Sequence, residues 1–147
     1  MLIFYGENIR LHWLEQDRVL VKTCTGYVPS AVLRQAYEAG LECLLRNRAT
    51  KAFADNRGLF PACGEDLEWI ERDWLPRMAQ AGWKYWAVLM PTTPLGAMSV
   101  RRMMAIYREL DIRFETFTSD EDALAWLRAQ PDESVTQPRS VAPSLSA

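Results

Sequence analysis

A pattern of apolar run, turn and amphipathic helix occurs three times between Lys51 and Leu127. The apolar runs are residues 51–55, 84–90 and 112–117, and each is followed by polar or turn-forming residues. Short strands that alternate with helices are typical of a parallel sheet flanked by helices. The pattern therefore predicts an α/β fold.

The chain before residue 51 predicts an antiparallel meander followed by a helix. The predicted strands are residues 2–5, 9–14 and 18–25. Apolar and polar residues alternate in the second of them, as in a strand with one face toward a core. Gly26 ends the meander, and Pro29 marks the first turn of a helix that runs to about Asn47. Together the two halves predict one mixed, mostly parallel sheet.

Three further helices complete the predicted fold, which has four. The second runs from about Glu65 to Gly82, and Pro76 within it lacks an amide, which predicts a kink or an irregular last turn. The third follows Thr93, a candidate N-cap, and the fourth follows Ser119. The residues expected to face inward from these helices are Leu67, Ile70, Trp74, Met78, Val100, Met103, Met104, Tyr107, Leu110, Ala123, Trp126 and Leu127.

Length and composition indicate one folded domain with a polar tail. The chain has 147 residues, of which 49% are apolar and 24% are charged. A body of residues 1–130 suits a single core. Residues 131–147 are rich in Pro, Ser, Gln, Thr and Ala, so they offer little burial to offset ordering entropy, and the sequence predicts disorder there.

Charge, hydropathy and cysteine usage exclude several classes of protein. The formal net charge of −2 provides no strong field for nucleic acid. No apolar run approaches the eighteen or so residues of a membrane span. The three cysteines are odd in number and widely spaced, which fits neither a disulfide framework nor a CxxC metal site. The expected location is the cytoplasm.

The order of elements, together with several short segments, resembles the SpoIIAA-like group of STAS and SEC14-type domains. The segments are Asp55-Asn56-Arg57, Leu67-Glu68-Trp69-Ile70 leading to Leu75-Pro76, and Phe117 before Asp122-Ala123-Leu124-Ala125-Trp126-Leu127. The resemblance covers residues 3–127 and implies a small α/β domain without catalysis. Members of the wider group include antagonists of anti-sigma factors and domains related to lipid carriers.

The regulatory branch of that group has a phosphorylatable serine near the start of the helix that follows the Asp55 strand. In this chain the corresponding segment, residues 57–66, contains neither serine nor threonine. Glu65 and Asp66 would also repel an added phosphate. A phosphoserine switch at this position is therefore not expected.

Polar residues at two strand ends are the candidate binding site. Asp55, Asn56 and Arg57 end one predicted strand, and Thr92 and Thr93 follow the next. Ligands of open α/β sheets bind outside the carboxyl ends of parallel strands, so these segments are expected to share one rim. The alternative is that these residues only hydrogen-bond their own turns.

Trp69 and Met98 are candidate contacts for a partner or ligand. On a helix of 100° per residue, Trp69 points away from the stripe of inward residues, which suits an interface. Alternatively, it packs under residues 58–61 near Phe60. Met98 lies at the start of the third helix, as a pocket lip or as a cover for the adjacent loop.

No constellation of residues indicates a reaction. His12 is the only histidine and reads as an exposed strand residue, and Cys63 has no nearby base to activate it. The sequence therefore predicts no catalysis, no cofactor and no metal.

The first hypothesis is an interaction or regulatory module that binds a protein partner or a second copy of itself. The alternative is a carrier of a small apolar or lipid-like ligand, held between the sheet and the second and third helices. The methionines expected to line such a pocket are Met78, Met98, Met103 and Met104.

Overall fold

A computed structural model of the chain, which describes residues 1–131, has an α/β fold built on one six-stranded sheet. The strands are β1 (Leu2–Gly6), β2 (Ile9–Leu14), β3 (Val19–Cys24), β4 (Lys51–Asp55), β5 (Tyr85–Leu89) and β6 (Arg113–Phe117). The helices are α1 (Ser30–Asn47), α2 (Gly64–Trp69), α3 (Leu75–Gln80), α4 (Pro94–Glu109) and α5 (Asp120–Ala129). A π-helical segment, Ile70–Trp74, joins α2 to α3.

The strands lie in the sheet in their chain order. β1, β2 and β3 pair antiparallel, whereas β3, β4, β5 and β6 pair parallel. The predicted mixed sheet with an amino-terminal antiparallel meander is therefore confirmed. Each parallel crossover contains a helix, as the distance between the ends of parallel strands requires.

Helices cover both faces of the sheet, but unequally. The larger core lies between one face and α1, the π segment, α3 and α4, whereas α5 packs on the other face. Strand β4 shows the division, since Ala52 and Ala54 belong to the larger core and Phe53 belongs to the smaller one. Alternate residues of a strand point to opposite faces, so β4 contributes to both cores.

Pro76 accounts for the π segment. Its ring lacks an amide and crowds the carbonyl four residues earlier, so the preceding turn cannot close as an α-helix. The turn widens instead, and the Leu75 amide bonds the carbonyl of Ile70, five residues back. The predicted irregularity is confirmed, although it lies before Pro76 and not in the last turn.

The predicted starts of the last two helices are confirmed. The Thr93 hydroxyl accepts a hydrogen bond from the Gly96 amide at 3.1 Å, and the Ser119 hydroxyl accepts one from the Asp122 amide at 3.2 Å. Trp74 is buried as expected, and Trp86 on β5 is buried as well. Trp126 is only partly buried, since it packs at the edge of the smaller core against Phe117.

Two of the sequence-based expectations concern the membrane and the tail. Within residues 1–131, no helix is both long and apolar enough to cross a bilayer. The predicted disorder of the tail concerns residues that, apart from Pro131, lie outside the described part of the chain.

The Ser119 cap should contribute measurably to stability. We expect Ser119→Ala to lower the free energy of unfolding by about 1 kcal/mol, because an amide in the first turn of α5 loses its acceptor. The measurement is urea denaturation. The control is Thr118→Ala, one residue earlier and outside the cap, which should change stability by less than about 0.5 kcal/mol. Equal effects of the two variants would contradict the role of the cap.

Candidate functional site

A cavity lies within the larger core, between the sheet and helices α1, α2 and α4. Its volume is about 170 Å³. This is similar to an engineered protein cavity of ~150 Å³ that stays dry and binds benzene. Three of its lining residues, Tyr27, Phe60 and Cys63, are exposed and follow the carboxyl ends of β3 and β4, so we assign the mouth of the cavity to this side. It is therefore large enough for one small molecule.

Small side chains at the centre of the sheet account for the open space. Ala52 and Ala54 line the cavity from β4, and Ala36 and Gly40 line it from α1, which packs over β1, β2 and β3. A Cβ on Gly40 would lie 3.3 Å from a methyl carbon of Leu20, so α1 lies close to the sheet at this point. Larger side chains at these four positions would have filled the volume that the small residues leave empty.

Aromatic rings form a rigid inner wall. Trp83 contacts Tyr107 at 5.3 Å between ring centroids, and Trp86 contacts Tyr107 at 4.3 Å, both edge to face. Trp74 packs against Tyr37 at 4.6 Å and donates its indole N–H to the Tyr37 carbonyl. Edge-to-face pairs of this kind add to the energy of simple burial. The wall is consequently preformed and largely apolar.

Two exposed aromatic residues flank the mouth. Tyr27 and Phe60 are 55% and 57% exposed, and their rings meet edge to face at 5.8 Å. The loop that carries Phe60 lies close to the loop after β3, because Gly58 has no side chain. A Cβ at Gly58 would lie 2.9 Å from the backbone of Thr25. These contacts place an apolar rim at the entrance.

Lys22 is the only cation among the residues that line the cavity within residues 1–131. It is partly buried, and its ammonium donates a hydrogen bond to the Tyr37 hydroxyl at 3.3 Å and lies 5.4 Å from the centroid of that ring. Desolvation lowers the pKa of Lys22, but the interactions with Tyr37 and Cys24 outweigh it, so the net shift of the pKa is upward. No carboxylate of the described residues pairs with this ammonium.

Asn56 and Tyr107 add neutral polar groups to the same cavity. Asn56 is 2% exposed, and its side-chain Oδ1 has no hydrogen-bond donor within the described part of the chain. Burial raises the pKa of Tyr107 well above its ordinary value, so its phenol stays protonated. A buried amide oxygen without a donor is costly, and a bound molecule or water could satisfy it.

The predicted meeting of two strand ends is confirmed. The Asn56 amide donates to the carbonyl of Leu89 at 3.0 Å, and the Thr92 amide donates to the carbonyl of Arg57 at 3.3 Å. The segments after β4 and β5 therefore share one rim of the sheet. The side chains of these two segments, however, do not all point into one crevice.

Asp55 and Arg57 lie on the α5 side of the rim, away from the cavity. The Arg57 guanidinium contacts the Asp55 carboxylate at 2.8 and 3.0 Å and that of Asp120 at 3.4 Å. Hydrogen bonds from Arg57 are the main cause of the lowered pKa of Asp55. Of the three consecutive candidates, only Asn56 lines the cavity, because successive residues point to opposite faces.

The two threonines have structural partners. Thr93 caps α4, and the Thr92 hydroxyl donates to the Arg57 carbonyl at 3.3 Å. Each hydroxyl therefore stabilises the rim itself. Neither threonine is among the residues that line the cavity.

Trp69 is partly buried against α1. Its ring lies 6.4 Å from that of Tyr37 and 5.0 Å below the Arg34 guanidinium. The ring of Phe60 pairs with that of Tyr27. Met98 is 63% exposed at the start of α4. Of the four methionines expected in a pocket, Met78 and Met103 line the cavity, while Met98 and Met104 do not.

The remaining candidates stand apart from the cavity or at its edge. His12 lies on β2 with partial exposure, and Cys63 is an exposed free thiol at the mouth. Asp66, also at the mouth, accepts a hydrogen bond from Ser30 at 2.7 Å and pairs with Arg34 at 3.3 Å. Among residues 1–131 there is no cluster of three or more His, Cys, Asp or Glu side chains that could hold a metal ion.

Lys22 is the site residue that the sequence analysis missed. Leu20, Lys22 and Cys24 occupy alternate positions of β3 and therefore share a face. That spacing was available in the sequence and would have placed a lysine between two core residues. Because Val19 and Val21 are also apolar, the two faces of β3 could not be told apart by hydropathy.

Comparisons with protein-family models, with curated proteins and with solved structures each found no match to this chain. The cavity and its residues are therefore interpreted from their own geometry.

An alanine-to-leucine substitution on each face of the sheet tests whether the space beside Ala54 is open. We expect Ala54→Leu to change the free energy of unfolding by less than about 1 kcal/mol, because the added carbons enter open space. The matched control is Ala87→Leu on β5, which is fully buried in the smaller core. Overpacking there should cost about 1–3 kcal/mol. Chemical denaturation measures both, and an equal loss in the two variants would contradict an open cavity at Ala54.

The Asp55–Arg57 pair predicts a specific dependence of stability on pH. Because the pKa of Asp55 is below its ordinary 3.8 in the folded protein, its stabilisation is present above that pH and is lost as pH falls through the folded value. We expect Asp55→Asn to reduce stability at neutral pH and to make no difference in strong acid. Denaturation curves across pH check this. Glu115→Gln, which changes an exposed acid, should give curves parallel to those of the unsubstituted protein.

Proposed function

We propose that this protein binds a small, largely apolar molecule in the cavity between the sheet and helices α1, α2 and α4. The observation that carries the proposal is an aromatic-walled space of about 170 Å³ with a few polar groups facing into it. Apolar clefts with a small number of converging polar groups are the usual form of a small-molecule site.

The preformed wall supports binding with little loss of order in the protein. The rings of Trp74, Trp83 and Tyr107 hold one another in edge-to-face contacts, so they need not rearrange when a ligand enters. Ligand binding to such a site gains the energy of apolar burial without a large cost of ordering. The role that fits is a carrier or a ligand-responsive module.

We interpret the fold as a STAS and SEC14-type domain within this proposal. The element order supports that interpretation, with a meander, a helix and then alternating strands and helices. The resemblance implies relatives of lipid carriers, which agrees with a ligand held between sheet and helices. A cytoplasmic location belongs to the same proposal and is supported by three free cysteines.

The hypothesis of a protein-interaction module stays a prediction. Its predicted surface comprises the Asp55 loop, the second helix with Trp69, and the start of the third helix. The Trp69 ring packs on Tyr37 and Arg34 within the same chain. The apolar side chains that project at the start of α4 are Leu95 and Met98, each 63% exposed. The cavity has a defined volume and lining, whereas the surface at α4 consists of two exposed side chains. We therefore favour ligand binding.

A series of unbranched 1-alcohols from butanol to decanol tests the proposal. We expect the Kd to fall by about fourfold with each added methylene, which corresponds to ~0.8 kcal/mol of apolar burial. The fall should stop once the cavity is full, at roughly six to eight non-hydrogen atoms. Chemical-shift titration by NMR gives the Kd values and the residues affected.

The control variant for this series is Ala54→Leu, which removes space without removing a polar group. It should end the improvement one or more methylenes earlier. Shift changes confined to the exposed surface, or a Kd that does not depend on chain length, would refute the proposed function.

A further inference from the structure

We infer that the natural ligand of this cavity carries an anionic head group, such as a carboxylate, which pairs with the ammonium of Lys22. The inference rests on the proposed function and specifies the class of its ligand. It follows from the position of Lys22, from the absence of a carboxylate partner among the described residues, and from the hydroxyl groups that line the same cavity.

Lys22 occupies a position where a core residue is expected. It lies on the inward face of β3 between Leu20 and Cys24, both of which are buried, and it pairs across the sheet with Ala54. The β3–β4 register therefore places Lys22 beside the small side chain of Ala54 on the cavity face of the sheet. A lysine that only needed solvation would have lain on an outer face of the molecule.

Lys22 has no anionic partner within residues 1–131. Its hydrogen bond is to the neutral hydroxyl of Tyr37. By contrast, Arg34 on α1 is paired with the carboxylate of Asp66. The Lys22 ammonium is partly buried in a largely apolar cavity, where opposite charges attract each other more strongly than in water. A ligand carboxylate would therefore form an ion pair that no described residue forms with Lys22.

Hydroxyl groups in the cavity suit a carboxylate or a similar head group. The Tyr37 hydroxyl, which accepts from Lys22, can still donate its own proton, and the Tyr107 hydroxyl in the same lining is also a donor. Hydrogen bonds to charged groups are shorter and about twice as strong as those between neutral groups. The arrangement would recognise an acid while the aromatic wall holds its apolar part.

The natural comparison is between two probes of equal length, hexanoate and 1-hexanol, with the complete chain at pH 7. We expect hexanoate to bind between about tenfold and a hundredfold more tightly, as a charge-assisted contact predicts. Lys22→Met should abolish that preference and leave the Kd for 1-hexanol within about twofold. This variant exchanges the lysine for an apolar side chain of similar length, so the fold and the cavity should be preserved.

The control for charge is Arg101→Met. Arg101 is exposed on α4 and does not line the cavity, so this change removes one positive charge without altering the site. It should keep the full preference for hexanoate. If Arg101→Met loses the preference as Lys22→Met does, the effect is general electrostatics and the inference is overturned.

The outcomes separate this inference from the proposed function. Equal binding of the two probes, unchanged by Lys22→Met, would overturn the anionic head group and leave the apolar site intact. A preference for hexanoate that survives Lys22→Met would also overturn it, since the acid would then be held elsewhere. If neither hexanoate nor 1-hexanol shifts the resonances of cavity residues, the proposed function itself fails.

Discussion

The parallel register of β3 on β4 is the constraint on which the cavity depends. Leu20 pairs with Ala52, and Lys22 pairs with Ala54, so large and small residues alternate across the centre of the sheet. A slip of one residue would send Lys22 to the α5 side and bring Val21 inward. The burial of Val19 in the smaller core opposes such a slip of β3, because Val19 would be moved out of that core and away from Phe53.

Close packing around the cavity makes it a stable feature of the core. Trp83 is held by rings on two sides and donates its indole N–H to the Tyr85 carbonyl at 3.0 Å. Met78 and Leu75 are almost fully buried behind it. A space bounded by such residues persists, because collapse would require well-packed side chains to leave their positions. The alanines of β4 and the small residues of α1 therefore create room that the rest of the core maintains.

Sequence reasoning succeeded where local chemistry decides the outcome. The caps at Thr93 and Ser119 and the irregular turn near Pro76 follow from the chain within a few residues of each position. The meeting of the two strand ends at Asn56 and Thr92 was also predictable, since parallel strands that pair end on the same side. It was not predicted that Asp55 and Arg57 point to the α5 side while Asn56 points to the cavity. The alternation of side chains in an extended segment explains this difference.

The periodicity of the sequence by itself determined the α/β class, the meander, the helices and the mixed sheet, because hydropathy patterns report which face of each element is buried. Only the tertiary structure decided that Ala36, Gly40, Ala52 and Ala54 line one common space and leave a cavity, and that Lys22 lines it too. The physical reason is that open space is a property of residues distant in the chain. No local pattern records which side chains fail to meet across a core.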